Sequence, residues 1–547
     1  MQVLKAFMAE RAPVYIVGGA VRDHLLGISS IPGWSHPILS DPDRGAGRAS
    51  ASFSKSTSAA TTDLDLVLSG PVLPVARRVA DKLGWAFYPL DEERDVARII
   101  GDGADGRRIE CDAAALRGDL QSDLLARDFS ANALALELPI DKSPRFIDVC
   151  GGMRDVAAKR LRRVTPDSLP SDPLRLLRAV RLAAQLGFTI EIETRKQILA
   201  NAGTIVSVSA ERVRHELWKL FDCSRPDAGI RELHALGLLS HLFPEVEALQ
   251  GVTQSSRHRL DAYEHTLLSV HYAAELRDWL RGGPAPQDRR LSQTLDPWAK
   301  DLRTHFSADI AAGRDRAAWL TWHALFHDTG KPGSRSTTIE NGIEPPGFAG
   351  HHQLSAQIAA RRVADLRFSR REVLLAERVA AMHGHPRNLF EALPPADPRI
   401  DPGAAYRFFR DAGSVVAGHQ FAHDSDIHSG RGNQPFDGLD VTLQAISDRQ
   451  ATGQERGDEW DRFLTAMEGL IAYAFSQAAE HLTKPLLDGH SLMKHLGLTP
   501  GPKVGDIMRE LAEAQAAGKI TDVEEALALA ELLVEKSNPS AATDSHP

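Results

Sequence analysis

An apolar run, Val14-Tyr15-Ile16-Val17, leads directly into Gly18-Gly19-Ala20-Val21-Arg22-Asp23, and two aspartates follow at Asp63 and Asp65. The run reads as a strand. The glycines let the backbone turn into a helix starting near Ala20, which leaves unpaired N–H groups and a positive dipole end where a phosphate can sit. In Thr61-Thr62-Asp63-Leu64-Asp65-Leu66-Val67-Leu68 the hydrophobic alternation has period two. Both carboxylates therefore share one strand face, while Leu64 and Leu66 point into a core. Singly, a Gly-Gly after a strand is an ordinary turn, and a D-x-D pair is an ordinary solvated edge. Together, two acidic groups beside a phosphate cradle suit a pair of Mg²⁺ ions that activate an attacking hydroxyl and steady a leaving pyrophosphate.

Composition narrows the class. A chain of 547 residues with 43% apolar content has material for about three or four domains. No apolar run approaches the roughly 20 residues of a membrane span, so no membrane partner is expected. Met1-Gln2-Val3-Leu4-Lys5-Ala6-Phe7 lacks the features of a secretory signal. The three cysteines (Cys111, Cys150 and Cys223) show neither metal spacing nor a disulfide framework, which fits a reducing cytoplasm. A net charge of −9 argues against indiscriminate nucleic-acid binding through bulk charge. Residues 154–181 nevertheless carry eight Lys/Arg against three Asp, either a local basic island or a solvated helix face.

The expected fold is an α+β head, a small mixed sheet with helices, over residues 1–150, followed by all-helical regions. Within the head, the Ser/Gly/Ala/Pro-rich stretch 28–62 reads as a flexible insertion. Helical periodicity dominates from Leu174 onward. Residues 151–250 read as a helical neck, 284–297 as a loop or linker, and 537–547 as a disordered tail.

Further along the head comes Ala126-Arg127-Asp128-Phe129-Ser130-Ala131-Asn132-Ala133, after an expected strand at 107–114. Arg127 can grip phosphate bidentately, and Asn132 offers a donor and an acceptor to a sugar or base. Asp128 is equally readable as a buried partner of Arg127. Glu110 and Asp112 are both candidates for a third carboxylate. After an expected interdomain turn at 148–155, Ser171-Asp172-Pro173-Leu174-Arg175-Leu176-Leu177-Arg178-Ala179-Val180-Arg181 opens a helix. Asp172 before proline is readable as an N-cap, but that leaves three arginines at three-residue spacing unexplained. Asp172 and Arg175 are expected as neighbours on one helix face. A carboxylate accepts from the exocyclic amino group of cytosine or adenine while a guanidinium donates to the adjacent bare ring nitrogen. Guanine and uracil mismatch that pair. Arg178 and Arg181 remain to bind phosphate or to order the pair.

In this order the motifs resemble those of the class II tRNA nucleotidyltransferase (CCA-adding enzyme) and bacterial poly(A) polymerase family, over roughly residues 10–250. The family's GGxVRD matches Gly18 to Asp23, its metal-binding DxD Asp63 to Asp65, and its RRDFTxNA the stretch from Ala126 to Ala133. Its EDxxR matches Ser171 to Arg175, and its neck motif Glu211-Arg212-Val213-Arg214-His215-Glu216-Leu217. Ala126 replaces an arginine of the family pattern, and Ser171 replaces a glutamate. The resemblance implies template-independent addition of C and A to the 3′ end of tRNA. It assigns Asp63 and Asp65 to catalysis on Mg²⁺, and Gly18, Gly19, Arg22, Arg127, Asn132, Asp172, Arg175, Arg178 and Arg181 to nucleotide binding. The partners it implies are tRNA, ATP and CTP. The same motifs serve A-adding and CC-adding enzymes and poly(A) polymerases, and the loop that separates these activities is expected within 91–108.

The second half is histidine-rich. Tyr263-Glu264-His265-Thr266, Phe326-His327-Asp328-Thr329-Gly330-Lys331-Pro332 and Gly350-His351-His352 offer imidazole and carboxylate donors that suit Mn, Fe, Ni, Zn or Mg. This stretch resembles the HD metal-dependent phosphohydrolase superfamily over residues 258–430. That resemblance implies a second divalent transition metal on His265, His327 and Asp328, with Asp424 or Asp426 as a fourth ligand and His351 or His383 extending the site. His352 stands where relatives often have glutamate. The remaining helical region, 431–536, carries Pro485-Leu486-Leu487-Asp488-Gly489-His490 and the 496–505 stretch. Both resemble the end segment of long HD-containing tRNA nucleotidyltransferases. Its Gly-Pro turn suits either an RNA phosphate or a helix-turn-helix packing unit. An HD phosphohydrolase whose first half only binds RNA, and a non-catalytic RNA-binding protein, are the rival readings.

Overall fold

The computed structural model describes residues 2–10, 13–28, 62–103, 106, 108–138, 144–254, 259–335, 347–414, 437–453, 457–476 and 485–536. Residues 29–61 of the expected insertion, Asp424, Asp426 and the 537–547 tail lie outside the described residues. The chain divides into two compact units, 1–244 and 245–547.

The first unit is built on one seven-stranded mixed sheet, ordered β3-β4-β5-β2-β1-β6-β7. The strands are β1 (Val14–Val17), β2 (Thr62–Leu68), β3 (Ala86–Asp91), β4 (Val96–Asp102), β5 (Arg108–Ala115), β6 (Leu134–Glu137) and β7 (Arg145–Asp148). Only the β2–β5 pairing is parallel. Alternation decides which face is dry: Leu64 and Leu66 on β2, Ala97 and Ile99 on β4, and Ile109, Cys111 and Ala113 on β5 are buried. The helix Val72–Leu83 presents Val72, Val75, Ala76, Val79 and Ala80 as its buried stripe. Its first N–H groups are capped by Asp95, whose carboxylate accepts from Val72 N and Leu73 N. Asp95 lies in the tight turn between β3 and β4. The segment expected to hold a specificity loop is thus mostly strand, with β4 at its centre.

The helix Leu174–Leu186 follows, then Ile192–Asn201, Ala210–Phe221 and Pro226–Ala235. Leucine-rich faces pack them together, with Leu176, Leu177, Val180, Leu217 and Leu220 buried. Part of the basic island is neutralised internally, because Arg160 and Arg162 both donate to the buried carboxylate of Asp155.

The second unit is helical apart from a small ribbon, Asp309–Ala311 with Arg314–Asp315. Its core helices are Ala262–Leu280, Arg316–Phe326, His351–Asp365, Arg370–Met382 and Asp437–Ala451. The expected linker 284–297 contains the helix Arg289–Leu295. Asp288 starts it by accepting from Leu291 N and also takes the Trp460 indole N–H. Near the C-terminus, Gly489–Leu496 and Pro502–Ala516 pack with Val523–Lys536 around Leu492, Ile507, Leu511 and Ala526. No helix among the described residues is long and apolar enough to cross a membrane.

Candidate functional sites

The parallel pairing of β2 with β5 sets Asp63 opposite Glu110 and Asp65 opposite Asp112. Four carboxylates therefore share the open face of the sheet. Asp112 is taken by Arg98, which donates to both its oxygens at 2.7 and 2.8 Å and lies 3.5 Å from Glu110. Among the described residues Asp63 and Asp65 have no such bidentate partner. Burial first, and then Glu110 for Asp63 and Asp112 for Asp65, pushes both carboxyls above their usual range. A set of oxygen donors carrying uncompensated negative charge fits a hard divalent cation.

The turn before Gly19–Leu25 lies against this cluster. Gly18 sits at φ 74°, and a Cβ there would come within 2.9 Å of an Arg127 nitrogen and 3.5 Å of Asp65. Only glycine combines that conformation with that closeness. Arg22 donates to Asp23 and to the Asn132 side-chain oxygen. Asn132 donates at 3.0 Å to one oxygen of Asp128, and the Arg178 Nε donates at 2.5 Å to the other. Arg178 and Arg181 then both donate to Glu216 on the Ala210–Phe221 helix. Burial would raise the Asp128 carboxyl, but Arg178 and Asn132 hold it below the ordinary range. Asp128 is thus a structural partner, but of Arg178 and Asn132. Arg127 pairs instead with Asp123 at 3.1 Å.

The Asp172 and Arg175 side chains do not bond to one another in this arrangement, although the Arg175 N–H donates to the Asp172 carbonyl at 2.9 Å. Asp172 accepts from Arg212 at 2.7 Å and from Leu174 N at 3.2 Å. Arg175 donates to the carbonyls of Ser168 and Ala126, and its Nη1 lies 3.4 Å from the Ser171 hydroxyl. The two departures from the family pattern are therefore both in touch with Arg175, one of them through backbone. Arg181 is buried against Glu216 and Gln185.

Sequence reasoning assigned no role to Arg212, Glu216 or Lys219, although the first two lie in the quoted neck motif. The Lys219 ammonium acts electrostatically on Asp63, while burial and Arg181 lower its own pKa. Arg212, Glu216 and Lys219 recur at three- and four-residue spacing, the signal of one helix face.

The second unit gathers a histidine cluster. One ligand atom each from His265, His327 and Asp448 lies within 4.8 Å of the others, and His351, His352 and His383 form a second such group. Asp328 stands between them: its Oδ2 is 3.6 Å from His265 and 3.2 Å from His327, and its Oδ1 is 3.5 Å from His351 and 3.6 Å from His383. The Nδ1 atoms of His327, His351 and His383 sit 2.8, 2.8 and 2.7 Å from backbone carbonyls. A carbonyl only accepts, so Nδ1 donates its proton and a neutral ring turns its Nε2 lone pair inward. In the metal-free cluster burial would lower the His327 pKa, but Asp328 and Asp448 outweigh it and raise it to about 10. The His327 and His265 Nε2 atoms are 3.3 Å apart. Converging lone pairs and carboxylates fit a divalent metal of the borderline class. Gly330 permits this closeness, because a Cβ there would fall 2.4 Å from the His351 carbonyl. Among the described residues the carboxylate grouped with His265 and His327 is Asp448, on the helix Asp437–Ala451; the expected Asp424 and Asp426 lie outside the described residues.

Comparison with known proteins agrees with the first unit's layout. The family described as "Poly A polymerase head domain" matches residues 58–162, and "Probable RNA and SrmB- binding site of polymerase A" matches 187–249. An A-adding tRNA nucleotidyltransferase of Deinococcus radiodurans is 30% identical, covering 95% of this chain and 96% of its own. A CC-adding tRNA nucleotidyltransferase of Thermus thermophilus is 31% identical, covering 85% and 88%. A solved CCA-adding enzyme in complex with ATP has the same fold, with TM-score 0.53 and 20% identity over 98% of this chain and 94% of that one. With its head motifs assembled on one sheet and its similarity running nearly end to end, the chain belongs to the tRNA nucleotidyltransferase family of enzymes.

Proposed function

We propose that this enzyme adds C and A nucleotides, without a template, to the 3′ end of tRNA in the cytoplasm, using ATP and CTP. The observation that carries this reading is the register setting Asp63 and Asp65 on the open sheet face beside Gly18 and Arg127. Mg²⁺ held by Asp63 and Asp65 supplies, when bound, the charge that activates the terminal ribose hydroxyl and steadies pyrophosphate. Gly18, Gly19, Arg22 and Arg127 receive the triphosphate, and Asn132 the sugar. Asp172 and Arg175 present the acceptor and donor that suit cytosine and adenine. Arg178 and Arg181 order that pair through Asp128 and Glu216.

The test uses purified protein, Mg²⁺ and tRNA transcripts lacking CCA, ending in C, ending in CC or complete, with each nucleoside triphosphate alone and in pairs. Completion of CCA with refusal of GTP and UTP is expected. Retained incorporation by Asp63→Ala would sink the assignment.

A second reading, restricted addition of CC or of A alone, is favoured by the two relatives matched over most of their length, which carry those names. Extension that stops at CC, or that starts only on a CC end, would establish it.

For the second unit we propose an HD-type metal centre on His265, His327, Asp328 and Asp448, extended by His351, His352 and His383. It would act on a phosphomonoester or a 2′,3′-cyclic phosphate. Phosphate release abolished by Asp328→Ala and untouched by Asp63→Ala is the expected result.

A further inference from the structure

Two rows of side chains cross the open face of the sheet. Register pairs Asp65 with Asp112, Asp112 with Arg98, and Arg98 with Tyr88. A parallel row runs from Asp63 through Glu110 and Ile100 to Ala86. The opposite face is covered: Phe87 lies under Arg77 of the Val72–Leu83 helix, and Ala97, Ile99 and Cys111 are buried. Tyr88, by contrast, is 49% exposed at the far end of the first row, and Leu90 beyond it is 50% exposed. Arg98 is held in place by its bidentate bond to Asp112.

We infer that Tyr88 and Arg98 form a stacking platform for an unpaired base near the 3′ end of the acceptor RNA, upstream of the reacting nucleotide. This rests on the proposed nucleotidyl transfer at Asp63 and Asp65. Gly18, Arg22, Arg127 and Asn132 all belong to the β1–β6 side of β2, so the incoming nucleotide is received there. In-line displacement brings the attacking hydroxyl from the other side of the carboxylates, which is the β5-β4-β3 side. Strands repeat at about 4.8 Å, so β3 lies roughly 14 Å from β2, too far for the reacting sugar itself. An aromatic ring and a planar guanidinium are the surfaces on which unpaired RNA bases stack, with little regard to base identity. The platform therefore holds the strand in register while leaving base choice to Asp172 and Arg175.

The experiment measures KM for acceptor tRNA and for CTP and ATP in wild type, Tyr88→Ala, Tyr88→Phe and Tyr88→Trp. Tyr88→Ala is expected to raise KM for the acceptor by about 5- to 100-fold, with nucleotide KM and Tm unchanged and with Phe and Trp restoring the wild-type value. An acceptor carrying an abasic site one or two positions behind its 3′ end should lose the difference between wild type and Tyr88→Ala. An unchanged acceptor KM overturns the platform, as does a loss that persists in full on both abasic acceptors. Wild-type incorporation in the same series reports on nucleotidyl transfer separately. If it is absent, fluorescence-polarisation binding of labelled acceptor to the four proteins tests the platform alone. A change in oligomeric state on Tyr88→Ala with no change in acceptor binding also overturns it.

Discussion

Asp128 and Arg178 form an ion pair, 2.5 Å between Oδ2 and Nε, that ties the head motif to the helix carrying Arg175. Through Asn132 and Arg22 on one side and Glu216 on the other, one hydrogen-bonded chain links the glycine turn to the neck helix.

Asp128→Asn is expected to cost roughly 1–3 kcal/mol, because it leaves a half-exposed Arg178 with Glu216 as its remaining carboxylate partner. The folded carboxyl lies below the usual range, so its stabilisation is present above about pH 4 and fades as pH falls through the depressed value. Urea denaturation should therefore show wild type and Asp128→Asn converging on acidification. A gap that stays constant from pH 7 to pH 3 would contradict this.

Asp65 behaves in the opposite sense. Its carboxyl is raised by burial and by Asp112, so ionisation weakens the metal-free fold, and the penalty grows as pH rises past the unfolded value. Asp65→Asn should raise the Tm of the metal-stripped protein at pH 7 while slowing incorporation about 10³-fold or more. A lowered Tm would remove the electrostatic account of this site.

Arg212, on the helix Ala210–Phe221, holds the Asp172 carboxylate at 2.7 Å. Arg212→Ala frees that carboxylate to turn. Discrimination against GTP and UTP, measured as kcat/KM ratios over the four nucleotides, is expected to fall about 10-fold, the loss of one partly exposed charge-assisted bond. Unaltered ratios would mean that Arg212 only supports the helix.

Asp448→Ala should reduce divalent metal retained on the second unit by at least about 10-fold, as read by elemental analysis after gel filtration, whereas Asp424→Ala should not. The reverse result would return the fourth ligand to the sequence assignment.

Strand period and glycine chemistry are local, so the shared face of Asp63 and Asp65, the turn at Gly18 and the paired His327-Asp328 were readable without a structure. Phe326 to Lys331 likewise marked a stretch of imidazole and carboxylate side chains through residue types alone. What the linear order could not specify was pairing between distant segments. The β2–β5 register, not spacing, set Glu110 and Asp112 beside the aspartates, and the β4–β5 register neutralised Asp112 with Arg98. Helix packing sent Asp172 to Arg212 and Arg175 to two carbonyls, although helical spacing alone made the pair neighbours. In the second unit, packing of the helix Asp437–Ala451 brought Asp448 to His265. Periodicity tells which side of an element is wet, but the partner across the gap is chosen by the packing of whole elements. That choice belongs to the tertiary structure.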